Sequence, residues 1–532
     1  MKIPGERSLA LAGRRFGLTV AAGIAAFSST LHAQDASIPP PSRYVATEVP
    51  AAQIDAAIAG LDKLVEDVMA RSGIPGLAVA VVRNDETVYA RGFGQRRVDA
   101  EDAVDPDTVF LLASLSKPLG ATVIASQVAK GLVEWDTPIA RLLPWFVLSD
   151  PWVTEHVTIG DLYAHRSGLP DHAGDDLEDL GFDRREVLER LALLPLSPFR
   201  STYAYTNFGL TAAAEGVAEV VGTSWERLSQ DALYEPLGMT STSSLNADFL
   251  ERANRSSSHI PQGDGYVVAD LRQPDAQSAA GGASSSVNDM AKWMALVLQD
   301  GKLGGQTFID PDALIPAITA QMISSPSSSA DARAGMYGFG FNVGIQPSGR
   351  VSIGHSGAFV LGASTTVSMI PSLGIGIVVL TNAPPVGAVE AIAVSFLDEL
   401  QFGAPTRDWL AAFQRLIGPI MEPTGELVGV ARPSAPEPHR DLDAYLGVYQ
   451  NAYFGDLEIL SFEGGLGLVV GPAGNVERLA HWNGDDFTYR PFDESGPKGT
   501  ISRVSFEGFD ASQAREVVVE HLNDIGFGRF AR

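Results

Sequence analysis

The stretch "LLASLSKPLG", residues 111 to 120, sets Ser114 three positions ahead of Lys117. On a helix, positions i and i+3 share a face, so this hydroxyl and this amine can meet. A serine hydroxyl attacks a carbonyl at neutral pH only with a base beside it and donors waiting for the oxyanion. A helix starting here puts Pro118 in its first turn, where a missing N–H costs little, and Ser114 at the positive end of the helix. Ser116 has no lysine three residues on and is read as lining the site or capping the helix. By itself Ser-x-x-Lys is a weak signal that needs a second and a third element. Both follow in order: Tyr205-Thr206-Asn207 in "YAYTNFGL" and His355-Ser356-Gly357 in "IGHSGAFVLG". Tyr205, unlike Tyr203, has an asparagine two residues on, which leaves Tyr203 as packing.

With these three elements the chain resembles the penicillin-recognising serine hydrolases: class C β-lactamases, D-Ala-D-Ala carboxypeptidases, D-aminopeptidases and related esterases. The segments "DLYAHRSGLPD", "YEPLGMTSTS", "GGASSSVNDMAKWM" and "GIGIVVLTNAP" resemble family segments in the expected order, and the resemblance spans roughly residues 52 to 402. The tail from about 440 resembles the lipocalin-like domain that some members carry. The resemblance implies that Ser114 is the acylated nucleophile. It implies that Lys117 holds a proton near Ser114 and lowers the pKa of Tyr205, since a cation beside a phenol favours its anion. Either Tyr205 or Lys117 then takes the serine proton. Asn207 is expected on the substrate amide or on Lys117. The oxyanion hole is expected from Ser114 N–H and Ala358 N–H, the latter just after His355-Ser356-Gly357 on an edge strand, and the resemblance places His355 among the catalytic residues and Ser356 and Gly357 at the substrate.

The third motif departs from the Lys-Thr-Gly usual in β-lactamases. Lysine offers a permanent cation to a substrate carboxylate, whereas His355 is mostly neutral near pH 7. That weakens the case for β-lactams and favours amide hydrolysis of linear peptides containing D- or other non-standard residues, an opened microcystin-type ring being one specific case. A short-chain carboxylesterase is the second reading and a true β-lactamase the third. A penicillin-binding-like sensor that is acylated without turnover is the non-enzymatic one.

Other features exclude other chemistries. His165, Asp171, His172, Asp175 and Asp176 are close in sequence but fit no zinc template, and they read as a solvated loop with a structural histidine. No metal or cofactor is expected. No Gly-x-Ser-x-Gly occurs, against an α/β-hydrolase. Cysteine is absent, which removes disulfides and thiolate chemistry together. A formal net charge of −26 repels nucleic acid and anionic membranes, so the expected partner is a small molecule or short peptide. The pattern carries no information on oligomeric state.

The elements that must position these residues form an α+β domain: an antiparallel β-lactamase-like sheet with flanking helices and a mostly helical subdomain. Residues 1 to 33 read as a secretory signal, with Lys2, Arg7, Arg14 and Arg15 ahead of "FGLTVAAGIAAF". That implies an exported, periplasmic or secreted protein with no stable membrane insertion once the leader is removed. A lead at 34 to 51 precedes the hydrolase domain at 52 to 402. There, "AAQIDAAIAGLDKLVEDVMARSG" is helical, "GLAVAVVRNDETVYARGFG" is a hairpin, and strands return with "YGFGFNVGI", "RVSIGHSG", "STTVSMI" and "GIGIVVLTN". In "NDMAKWM", Asp289 is read as a helix cap and Trp293 as core. A helical segment and Pro-rich linker (403 to 440) lead to an all-β, lipocalin-like barrel at 441 to 532.

Overall fold

The computed structural model describes residues 40–269, 271–510 and 512–532. The expected leader at 1 to 33 lies outside the described residues. The first helical pattern forms two helices, α1 (Ala51–Ala59) and α2 (Leu61–Ser72), because Gly60 interrupts it. Gly73 ends α2 at φ 71, a left-handed conformation that glycine adopts without a Cβ penalty. The hairpin is β1 (Gly76–Arg83) and β2 (Glu86–Gly94). A 3-10 turn at Ala113–Leu115 then leads into α3 (Ser116–Ala129). The helical middle contains α4 (Asp175–Asp179), α5 (Asn207–Val221), α6 (Ser278–Gly281) and α7 (Val287–Leu298). Six strands return: β3 (Met322–Ser325), β4 (Gly335–Tyr337), β5 (Asn342–Ile345), β6 (Val351–Phe359), β7 (Ala363–Ile370) and β8 (Ile375–Thr381). Helices α8 (Ala388–Phe402) and α9 (Trp409–Ile417) close the domain.

The eight strands form one antiparallel sheet in the order β2-β1-β8-β7-β6-β5-β4-β3. Pairing of β8 with β1 brings the two ends of the domain together. Along β1 the side chains alternate: Leu77, Val79 and Val81 pack with Ile377 and Val379 in the core shared with α1, α2 and α8. Ala78, Ala80 and Val82 face the other core, with α3, α5 and α7. Both faces are covered, which is why these strands read as unbroken apolar runs. Trp293 is buried as expected, but Ser286 caps α7, and the Asp289 carboxylate instead accepts from Ser241 N–H and the Thr242 hydroxyl.

The C-terminal region is a closed eight-stranded barrel: β9 (Gly447–Asn451), β10 (Gly455–Phe462), β11 (Gly465–Val470), β12 (Glu477–Asn483), β13 (Asp486–Tyr489), β14 (Ser502–Glu507), β15 (Glu516–Val519) and β16 (Arg529–Ala531). Gln450 pairs with Ala531 to seal it. Its interior is filled by aromatic contacts among Tyr445, Tyr449, Phe487 and Phe506. Among the described residues no helix is long and apolar enough to cross a membrane.

Candidate active site

The topology brings together the turn before α3, the start of α5 and the last half of β6. Ala113 precedes the serine at φ 47, a left-handed conformation costing about 1 kcal/mol or more in a non-glycine residue. Ser116 neither lines the site nor caps the helix. Its hydroxyl donates to Ala113 O (2.7 Å) and accepts from Ala283 N–H (2.9 Å), pinning the strained turn from behind.

Ser114 is half-buried, and its Oγ lies 3.0 Å from Lys117 Nζ and 2.8 Å from the Tyr205 hydroxyl, which donates to it. Lys117 is fully buried, and Nζ also donates to Asn207 Oδ1 (2.7 Å) and Ala280 O (3.0 Å). An ammonium has three donors, and all three are placed. Nζ also lies 4.5 Å from the centre of the Tyr205 ring. Burial, opposed by the Asp175 charge, brings the Lys117 amine down to about 7. The resemblance implied a lowered Tyr205 phenol instead. Burial pushes that phenol well above its ordinary value, with the Ser114 hydrogen bond opposing. The cation cannot do the expected work because it is itself the group that desolvation discharges.

Asn207, of its two expected partners, takes Lys117. Its orientation is fixed from the far side, where Nδ2 donates to Asp175 Oδ2 (2.8 Å). The same carboxylate oxygen accepts from His172 Nδ1–H (2.8 Å). The sequence places these two residues in a solvated loop, yet they decide which way the Asn207 amide faces.

His355 is buried, with ring centres 5.8 Å from Tyr337 and 6.4 Å from Tyr205. Its Nδ1 lies 2.6 Å from Ser356 O, which can only accept, so Nδ1 carries the proton and Nε2 accepts from the Tyr337 hydroxyl at 2.8 Å. Burial and the nearby Lys117 push the imidazole down to about 3, so it is neutral and brings no cation. With both nitrogens engaged, His355 holds the strand and Tyr337 instead of reaching substrate. Strand alternation turns Ser356 to the opposite face, where its hydroxyl donates to Thr366 Oγ1 (3.0 Å); expected at the substrate, it points away from it.

The strand is also not a simple edge. β5 covers Val351 to Gly354 and stops, so only His355 to Phe359 is open. Gln346 N–H donates to Arg350 O (2.8 Å), which sets the alternation and directs the backbone groups of residues 354, 356 and 358 to that side. Ala358 N–H therefore faces the open edge. A Cβ built on Gly357 would lie 2.7 Å from Ser114 N and 2.5 Å from Leu112 O, so glycine is what lets this strand lie against the nucleophile.

Sequence spacing does not show what holds Tyr205. His165, at φ 54, accepts Thr206 N–H on Nδ1 (3.1 Å) and Ala204 N–H on its carbonyl (2.9 Å). Asp171 Oδ1 accepts Tyr205 N–H (2.6 Å), and His172 N–H donates to Tyr205 O (2.7 Å). The loop is anchored by fully buried Asp161, which pairs with Arg166 (2.8 Å) and Arg200 (2.7 Å). The segment "HRSGLPDH" is thus the cradle of the Tyr205 backbone.

Comparison with known proteins agrees with this fold. The beta-lactamase family model matches residues 61–397. The chain belongs to the beta-lactamase family. A domain of unknown function, DUF3471, matches residues 431–527, over the barrel. Among relatives, the unguisins hydrolase of Aspergillus campestris is 28% identical over 426 residues, covering 75% of this chain and 77% of the relative. The D-alanyl-D-alanine-carboxypeptidase/endopeptidase AmpH of Escherichia coli strain K12 is 24% identical over 336 residues, covering 61% and 84%. The structure of the octameric penicillin-binding protein homologue from Pyrococcus abyssi superposes with a TM-score of 0.58 at 20% identity, covering 89% of this chain and all of that one. This likeness concerns the fold. As a beta-lactamase family member the chain is a serine hydrolase, and the acyl-serine mechanism fits the family. Within that fold, Ser114 is the serine set between a buried amine and a phenol.

Proposed function

We propose that this chain is an exported serine peptidase that cleaves an amide bond in linear peptides containing D- or non-standard residues through an acyl-Ser114 intermediate. The observation that carries the mechanism is Ser114 Oγ held between Lys117 Nζ at 3.0 Å and the Tyr205 hydroxyl at 2.8 Å. A neutral Lys117 keeps two donors, on Asn207 Oδ1 and Ala280 O, and turns its lone pair to the Ser114 O–H. Lys117 is the base in this reading, because its amine is near 7 while the Tyr205 phenol stays protonated. As Ser114 Oγ bonds to the carbonyl carbon, its proton moves to Lys117 and the oxyanion meets the Ser114 and Ala358 amides. The C–N bond then breaks, and the leaving nitrogen takes a proton from Tyr205, which Lys117 restores. Water attacks the ester with Lys117 again as base, and Ser114 Oγ regains its proton.

The peptide assignment is supported by the neutral His355, which offers no cation to a β-lactam carboxylate, and by relatives named for acting on unguisins and on D-alanyl-D-alanine. Export is proposed on the basic, then apolar, residues 1 to 33. The test is turnover of a panel of linear D-residue peptides, D-amino-acid anilides, p-nitrophenyl esters and nitrocefin by wild type and Ser114→Ala. Preferred turnover of the peptides, lost in Ser114→Ala, is expected; wild-type rates in that variant would overturn the mechanism. Preference for esters or nitrocefin would overturn the substrate class.

A further inference from the structure

The barrel meets the hydrolase domain at several places, among them Ala473 N–H on Leu180 O and Arg190 on Tyr453 O, and one further contact bears on the active site. Between β13 and β14 the loop "PFDESGPKG" places Glu494 against the turn that joins β6 to β7. Its carboxylate accepts Val360 N–H (2.7 Å) and Leu361 N–H (3.4 Å). Val360 is two residues, about 7 Å, beyond Ala358 on the strand whose edge has lost its β5 partner. That end of β6 is paired on one side only, so the orientation of the Ala358 amide depends on how its turn is anchored.

Glu494 is the end of a buried chain of charges. Arg272 Nε is 3.8 Å from its carboxylate, and Arg272 Nη2 is 2.6 Å from Glu178. The Arg272 guanidinium also lies 4.6 Å from the centre of the Phe359 ring, on the same turn. Glu178 accepts from the Gln277 amide. Glu178 lies on α4 with Asp175, which orients Asn207, and Gln277 directly precedes α6, whose Ala280 O holds Lys117. The network thus touches three backbone segments of the site, and its outer member belongs to the barrel.

We infer that Glu494 is a positioning residue for catalysis: by anchoring Val360 and Leu361 it holds the Ala358 N–H where the oxyanion forms, so the barrel completes the active site. This rests on the acyl-Ser114 reading, and the test separates the two. Full-length wild type, Glu494→Ala and Glu494→Gln are reacted with a fluorophosphonate, whose phosphoryl oxygen occupies the oxyanion position; the rate of Ser114 labelling is followed by mass spectrometry, and Tm is measured alongside. Glutamine keeps an acceptor for Val360 N–H and loses the charge.

Glu494→Ala is expected to label at least tenfold more slowly than wild type with Tm within about 3 °C, and Glu494→Gln to recover most of the rate. Labelling of Glu494→Ala within twofold of wild type would overturn the positioning role. So would a slow alanine variant without recovery in glutamine, or a rate loss that simply follows a fall in Tm. Failure of wild type to label at Ser114 would overturn the acyl-serine reading itself.

Discussion

Lys117 lies 3.0 Å from Ser114 Oγ as a fully buried amine brought down to about 7 by desolvation. A base must be deprotonated to act, so kcat/KM is expected to rise with pH through about 7 and to level off above it. A pH–rate profile with a p-nitrophenyl ester checks this. An ascending limb centred near 10 would remove Lys117 from the role of base.

The depressed amine has a stability consequence of fixed sign. The unfolded lysine holds its proton up to about 10.5, whereas the folded one releases it near 7. Between these values the unfolded state binds more protons, so stability rises with pH, by roughly 1.4 kcal/mol for each pH unit crossed. Lys117→Met is expected to be inactive, and its Tm to lack the rise that wild type shows from pH 7 to 10. Thermal melts across that range decide it.

Tyr205 donates to Ser114 Oγ, but its phenol is pushed far up by burial, so it serves as a proton donor and relay. Tyr205→Phe is expected to lower kcat by about 10²–10³-fold while leaving the ascending limb near 7 in place. Movement of that limb in the variant would mean the ionisation belongs to Tyr205.

How much of this is legible in the sequence follows from what each signal depends on. Ser114 with Lys117 can be read because a helical spacing alone makes them neighbours, and Tyr205 with Asn207 because the pair opens a helix. The sheet can be read because β1 and β8 are apolar throughout. The aim of Ser356 cannot, since one residue of strand register decides it. Nor can the direction in which the Lys117 and Tyr205 pKa values move, because burial of these groups is a property of the packed site. His172 and Asp175 resemble a solvated loop because only the fold brings Asn207 beside them. Barrel strands β12 and β16 escape a sequence reading for lack of pattern, the first being half-exposed along most of its length and the second three residues long.

Gly357 gives a test of the strand's approach to the nucleophile. An added methyl would meet Leu112 O at 2.5 Å and Ser114 N at 2.7 Å, backbone atoms that cannot step aside. Gly357→Ala is expected to push β6 away from Ser114 and to cost about 10²-fold or more in kcat, the magnitude of a lost oxyanion donor. Steady-state kinetics with a melt of the same sample checks it; a variant with full kcat would show that this strand does not bound the oxyanion.

The contact between barrel and hydrolase domain carries its own pH dependence. Burial pushes Asp176 up to about 6 and Glu494 up to about 7, with His521 and Arg272 respectively opposing. His521 is raised by Asp493 and Asp176 against its burial. The two carboxyls hold more protons folded than unfolded between about 4 and 7, so stability falls as pH rises through that interval, and His521 extends the fall above its unfolded value of 6.5. The carboxyl part of this window lies below that of Lys117, so those two effects separate in one series of melts. Tm is expected to be higher at pH 5 than at pH 7, and Asp176→Asn, which cannot charge, to be more stable than wild type at pH 7 and to show a shallower decline. A wild-type Tm that climbs from pH 5 to 7 would mean that these carboxylates are ionised and paired at the interface instead of buried and protonated.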